Sequence, residues 1–340
     1  MKLNQNHPKT LIIAEAGVNH NGDLKIAKEL IRQAAKAGAD IVKFQTFTAA
    51  KLATPEAPKA DYQIDKDEPM ASSYQMLENL ELSNDDYLEL VKECQNHNIE
   101  FFSTAFDEES LSFLLDLGMS KIKIPSGEIT NKPLLEFISQ FDMPVIMSTG
   151  MADLSDIESA IDALSHNRLT RENISILHCT SQYPADMKDI NLLAIPSMRK
   201  KFDLDIGYSD HTIGSEAAIA AVSLGATIIE KHITLDCSMT GPDHKASMEP
   251  NDFQAMISAI RNIEAGLGDG VKAPTKKELE MRIVARKSLV ASKNIEIGEL
   301  FTLENLTVKR PGNGISPMRI KEVLGTQAAF AFEMNDLIKV

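Results

Sequence analysis

Apolar residues along this chain fall into two alternating rhythms. Short runs rich in Ile, Val and Phe, as in strands covered on both faces, are separated by longer stretches whose apolar positions repeat at helical spacing. Eight such runs lie between residue 10 and about residue 268: TLIIAEAGVN, DIVKFQTF, EFFSTAF, KIKIPSG, PVIMSTG, ISILHCT, DIGYSD and TIIEKHIT. Between the first two, GDLKIAKELIRQAAKAG sets Leu24, Ala27, Leu30, Ile31, Ala34 and Ala35 on one helical face, and Gly38 supplies a C-terminal stop. Eight strand–helix units predict an α/β fold of the (β/α)8 TIM-barrel type. A doubly wound open sheet is the competitor, but it wants a GxGxxG turn after the first strand, and none is present.

Two segments break the rhythm. Residues 48–82 separate the second strand from its helix, and a connection of that length leaving a strand's C-terminal end predicts a partial lid, with a floppy insertion as the alternative. Residues 1–268 therefore form the predicted barrel. Residues 269–284 turn polar and charged and read as a linker, and residues 285–340, with short strands and the turn signals IGE and RPGNG, read as a small separate domain. So brief a domain buries little core alone, so it is expected to dock on something.

Alternation along each predicted strand decides which side chains face the barrel interior. It sends Glu15 inward with Ile13 and Gly17, Lys43 and Gln45 inward on the second strand, Thr104 with Phe102 on the third and Lys123 on the fourth. Ser126 and Glu128 follow the fourth strand, Ser148 ends the fifth, and Glu230 and His232 share a face of the eighth. Polar groups thus gather at strand C-terminal ends, where barrel enzymes build their sites. Taken singly, an inward Lys is a structural ion pair and a Ser a cap; six strands repeating the habit point to a site.

Buried without counter-charge, Lys43 and Lys123 would cost several kcal/mol each, so they need anionic partners. Glu15, Glu128 and Glu230 qualify, as does a substrate phosphate or carboxylate cradled by Thr104, Ser126 and Ser148. His211, ending the seventh strand, and His232, in the eighth, lie at matching depth near Asp210 and Glu230. Two imidazoles with an open remainder of the shell suit Mn, Zn, Co or Fe. His20 and His178 are weaker candidates that read as supports behind the site or as structural, and Asp243 in GPDH follows the eighth strand and reaches over the same mouth.

Composition narrows the rest. A net charge of −14 leaves no basic face for nucleic acid, so an anion must be bound in a local pocket. The absence of Trp and the low aromatic content leave the interior to aliphatic side chains, as α/β layers want. Cys94, Cys179 and Cys237 form no CxxC pair and fit reduced thiols. The N-terminal apolar stretch is too soon interrupted by Glu15 for a signal peptide, and no window approaches the roughly 18 apolar residues of a membrane span. A cytoplasmic enzyme is expected.

Taken together, AEAGVNHNG, VKFQTF, FSTAFD, KIPSGE, STGM, SDHT, EKHIT, GPDH and KRPGNGISP, in this order over nearly the whole chain, resemble the N-acetylneuraminate (sialic acid) synthase family. The resemblance implies a (β/α)8 barrel with a C-terminal antifreeze-like (SAF) domain. It implies a carbon–carbon-forming transferase that joins phosphoenolpyruvate, N-acetylmannosamine and water and releases phosphate by C–O cleavage. It places phosphoenolpyruvate on Lys43, Thr104, Lys123, Ser126, Ser148 and Tyr183, with Ser181 standing where some relatives carry Asn. It places Mn or Mg, with Co a further option, on His211 and His232. Sugar contacts fall on Gln45, Glu128, Asp243 and Arg310, the last reaching from the partner subunit of a domain-swapped homodimer. Glu15 and Asp243 are the candidate proton carriers. The alternatives are a legionaminic or pseudaminic acid synthase using a 2,4-diacetamido-trideoxy hexose, a 3-deoxy-aldulosonate phosphate synthase, which would want a second basic cluster, and a non-catalytic sugar- or ice-binding protein.

Overall fold

The structure, a computed structural model, describes residues 9–59 and 72–340. Its first unit, ending at Asp269, is a closed parallel barrel of eight strands in sequential order. These are β1 (Leu11–Gly17), β2 (Ile41–Thr46), β3 (Glu100–Ala105), β4 (Ile122–Ile124), β5 (Val145–Ser148), β6 (Ile174–Cys179), β7 (Asp205–Asp210) and β8 (Ile228–His232). Each coincides with one of the eight apolar runs. Closure between β8 and β1 removes the sheet edges, and its register sets Glu15 beside His232 and also beside Lys43 of β2.

Helix α1 (Leu24–Ala37) shows why the intervening segments are helical. Asp23 caps its start, its buried residues Ala27, Leu30, Ile31, Ala34 and Ala37 form one stripe, and Gly38 ends it at φ 91°. That left-handed conformation is one glycine adopts without Cβ strain. The stripe joins one continuous core between strands and helices, mostly Ile, Leu, Val, Ala and Met but with Phe44, Phe102, Phe202 and Tyr208 among its largest buried side chains.

The connection after β2 holds α2 (Ala49–Leu52) and α3 (Ser73–Glu78) before α4 (Asn84–Asn96). Residues 60–71 of the expected lid lie outside the described residues. The second unit, Gly270–Val340, pairs β9 (Ser288–Ala291) antiparallel with β10 (Leu306–Lys309) around its own apolar cluster, including Leu289, Phe301 and Phe332. The stretch expected as a linker belongs to this unit and carries a helix, Lys276–Ala285. Its start is a capping box in which Thr275 and Glu278 satisfy each other's backbone N–H groups, which offsets a weak apolar pattern. Among the described residues no helix is long and apolar enough to cross a membrane.

Candidate active site

The inward side chains meet in a cavity of about 380 Å³ at the C-terminal mouth of the barrel. Lys43 and Lys123 reach it from β2 and β4, both almost fully buried. Lys43 Nζ lies 2.6 Å from Glu15 Oε2 and donates to Thr104 Oγ1 at 3.1 Å. Lys123 Nζ donates to Ser148 Oγ at 2.7 Å and to the Ile124 carbonyl at 3.2 Å. Glu230 stands between them, its Oε2 3.6 Å from Lys43 and its Oε1 3.9 Å from Lys123. The Ser209 hydroxyl donates to Glu230 Oε1 at 3.0 Å.

Two ammonium groups thus face two carboxylates, but at Glu15 burial outweighs the neighbouring Lys43 and raises the carboxyl above its ordinary value. Burial pushes the Glu230 carboxyl up, but Lys123 and Lys43 outweigh it and hold its pKa at about 2. Burial also pulls Lys123 down, whereas at Lys43 the charges of Glu15 and Glu230 overcome burial and raise it. Asp243, almost fully buried and 3.8 Å from His232 Nδ1, is pushed up to about 7 by burial and by the charge of Glu15.

His211 and His232 face each other with ring centroids 5.6 Å apart. A carbonyl can only accept, so the 2.7 Å contact from His211 Nδ1 to Thr180 O puts the proton on Nδ1 and leaves the Nε2 lone pair available. Burial lowers the pKa of both rings, so both are neutral near pH 7. Buried His232 Nδ1 has no hydrogen-bond partner. Two neutral imidazoles, one with a fixed tautomer and one with an unsatisfied nitrogen, fit a divalent cation with an open shell. Among the described residues no group of three or more His, Cys, Asp or Glu side chains is arranged as a cation cage. Tyr183 stacks on His211 at 4.1 Å between centroids.

Ser126, Ser181 and Cys179 gather around Gly150, next to Thr180, whose carbonyl holds His211. Gly150 N donates to Ser126 Oγ at 2.9 Å, and Ser126 Oγ lies 3.1 Å from Cys179 Sγ. A Cβ on Gly150 would sit 2.0 Å from Ser181 Oγ, so the backbone comes this close only because no side chain is there. Gln45 donates to Glu15 Oε1 at 3.2 Å.

Of the residues singled out in the sequence, Glu15, Lys43, Gln45, Thr104, Lys123, Ser126, Ser148, Ser181, Tyr183, His211, His232 and Asp243 line this one cavity. Glu128 does not: β4 ends at Ile124, alternation stops there, and a 3-10 turn over Ser126–Glu128 hands its carboxylate to Asn131 Nδ2 at 2.6 Å. Arg310 is exposed and belongs to the second unit, just past β10. Asp210, expected beside the histidines, points to the other face of β7, where it accepts from Lys231 Nζ at 2.8 Å and from Thr212 N at 2.9 Å. The same alternation sends Ser209 inward, a residue that sequence reasoning passed over.

Asn19 and His244 were also missed. Asn19 Nδ2 donates to Ser247 Oγ at 2.8 Å, and Ser247 Oγ donates to Asp243 O at 2.6 Å, a relay that fixes the loop carrying Asp243. His244 bridges Thr234 Oγ1 at 2.7 Å and Asn21 Oδ1 at 3.2 Å. The polar triplet NHN in a loop following a buried strand was the available signal. His20 is fully buried, with Nδ1 accepting from Gly22 N, and His178 Nε2 donates to Ile190 O at 2.7 Å.

Comparison with known proteins gives matches to the NeuB family over residues 30–272 and to the SAF domain over residues 286–338. The chain is 50% identical to an N,N'-diacetyllegionaminic acid synthase of Campylobacter jejuni, covering 97% of this chain and 99% of the relative. It is 44% identical to one from Legionella pneumophila, over 93% and 89%. The crystal structure of an N-acetylneuraminic acid synthetase from Leptospira borgpetersenii, in complex with citrate, matches with a TM-score of 0.72 at 34% identity, covering 81% of this chain and 91% of that one.

Proposed function

This chain belongs to the NeuB family, and from that premise we propose that it condenses phosphoenolpyruvate with a 2,4-diacetamido-trideoxy hexose and water, forming a legionaminic-type sugar acid and releasing phosphate. N-acetylmannosamine, the sugar first implied by the sequence, gives way to the diacetamido sugar. The two N,N'-diacetyllegionaminic acid synthases match at 50% and 44% identity, against 34% for the sialic acid enzyme. The observation that carries the chemistry is the convergence of Lys43, Lys123, His211 and His232 on one cavity, with Glu230 shared by both lysines.

Lys43 and Lys123 offer charge to the carboxylate and phosphate of an enol phosphate, and Thr104, Ser126 and Ser148 supply hydroxyls beside them. A divalent cation held by His211 and His232, Mn, Mg or Co, would polarise the aldehyde oxygen of the open-chain sugar. The third carbon of phosphoenolpyruvate bonds to the aldehyde carbon, whose oxygen takes a proton to become a hydroxyl. Water adds at the second carbon, and phosphate leaves with its bridging oxygen as the ketone forms. Glu15 is engaged by Lys43 at 2.6 Å and by Gln45, whereas among the described residues Asp243 has only the neutral His232 ring, at 3.8 Å, within ion-pair distance. Asp243 is therefore our choice for carrying the proton at the sugar hydroxyl or the water.

The test is phosphate release from phosphoenolpyruvate with a panel of N-acylated hexoses, followed by the product's mass. Release with the diacetamido sugar and a product heavier by the added pyruvyl unit is expected. Release that needs no sugar, or none with any sugar and divalent cation, rejects the reading.

A further inference from the structure

The cavity has a second wall of a different nature. Besides its charged and hydroxyl groups it is lined by Val18, Met76, Leu77, Leu80 and Phe106. These belong to one apolar cluster with Phe47, which meets Phe106 edge-on at 6.0 Å between centroids. The wall is built into the fold. Helix α3, which carries Met76 and Leu77, is closed at its start by a reciprocal cap between Ser72 and Gln75. Beyond its end, Glu81 accepts from Ala49 N, and Gly22 approaches Asn79 O so closely that a Cβ would sit 2.6 Å from it.

Such a wall has no use for a polyhydroxylated sugar. None of its five side chains carries a hydrogen-bonding oxygen or nitrogen, so a hydroxyl turned toward them gives up water without replacement. A methyl group in the same place gains by leaving water. A trideoxy diacetamido hexose has two such groups that N-acetylmannosamine lacks, a methyl in place of the terminal hydroxymethyl and the methyl of its second acetamido group.

The geometry points to Met76, Leu77 and Leu80 as specificity residues that receive these methyl groups and select a deoxygenated, diacylated sugar over a hydroxylated one. The inference rests on the reaction proposed above and adds to it the side chains that choose the sugar.

The experiment compares kcat/KM for the diacetamido-trideoxy hexose and for N-acetylmannosamine in the full chain and in Met76→Gln and Leu77→Asn. Both residues are half-buried, so their replacement spares the core. Wild type is expected to prefer the deoxy sugar by about 10- to 200-fold per methyl difference, the scale of apolar pocket discrimination. Each polar variant should cut that ratio about 10-fold through the deoxy sugar, leaving the KM for phosphoenolpyruvate within about twofold. Met76→Leu, apolar and of similar size, should keep the ratio. If wild type prefers the deoxy sugar and the polar variants keep the same ratio, the wall is not the selector and the proposed reaction stands. If wild type prefers N-acetylmannosamine, or turns over neither sugar, the reaction itself is wrong and the wall assignment falls with it.

Discussion

Replacing Glu230 by Gln tests whether the two lysines are held by charge. The substitution keeps the side chain's shape and leaves an oxygen for the Ser209 hydroxyl, which now donates to Oε1 at 3.0 Å. It removes the anion that lies 3.6 Å from Lys43 and 3.9 Å from Lys123. At an effective dielectric of about 20, each of these contacts has a Coulomb energy of about 4 to 5 kcal/mol. Lys43 keeps Glu15 at 2.6 Å, whereas the other hydrogen-bond partners of Lys123 are the neutral Ser148 hydroxyl and Ile124 carbonyl. The net loss should therefore resemble that of one broken buried pair, about 3 to 5 kcal/mol. The carboxyl's pKa of about 2, against 4.5 for the free group, gives about 3 kcal/mol by a separate route. The barrel's melting midpoint should fall by about 6 to 12 °C, read by circular dichroism at pH 7. Phosphoenolpyruvate should restore more of the midpoint in the variant than it adds to wild type, because it brings the missing negative charge. Adding Lys123→Met should recover part of the loss. A midpoint within about 1 °C of wild type, with no recovery in the double variant, would refute the charge argument.

Three further outcomes follow from the site. Gly150→Ala forces Ser181, Ser126 and Cys179 apart, and should raise the KM for phosphoenolpyruvate about 10-fold or more by misplacing hydroxyls; an unchanged KM would remove this corner from the anion site. Stripping divalent cations with a chelator should abolish sugar-dependent phosphate release and Mn should restore it, with His211→Ala losing both activity and the metal response; turnover indifferent to chelation would reject the role given to the two rings. Lys231→Met leaves Asp210 buried without its cation, so a stability loss of about 3 kcal/mol or more is expected in a denaturant titration, and a loss below about 1 kcal/mol would show that the Thr212 bonds suffice.

Much of this was legible before any coordinates. The eight branched runs became the eight strands, because a closed parallel sheet buried on both faces leaves little freedom in composition. Alternation placed Lys43, Gln45, Thr104, Lys123 and Glu230 in the cavity. It could have excluded Asp210 and found Ser209 as well, had strand parity been followed instead of nearness in sequence to His211. The rule stops where strands stop, which is why Glu128, four residues beyond the end of β4, is elsewhere. The helix at Lys276–Ala285 hid in a polar segment because its start depends on a cap and not on an apolar stripe. The apolar wall from α3 was out of reach of periodicity, since a helix of 6 residues shows fewer than two turns of pattern. The sugar proposed for the reaction was the least legible part, because acyl and deoxy groups would be read by contacts that long-range folding brings together.

The triplet Glu230, Lys231, His232 shows how one strand can serve scaffold and site at once. Successive residues of β8 face opposite sides of the sheet. Glu230 and His232 enter the cavity, while Lys231 turns outward to a buried pair with Asp210 of β7. That outer pair joins the two strands that carry the histidines, and its Asp210 also fixes Thr212, the residue after His211. The ring spacing at the mouth therefore depends on a charge pair on the far face of the same strands. A charged residue in the middle of a buried strand need not be a member of the site to govern its geometry. Within the triplet the parity of the position separates the two roles: Glu230 and His232 face the cavity, and Lys231 between them locks the frame.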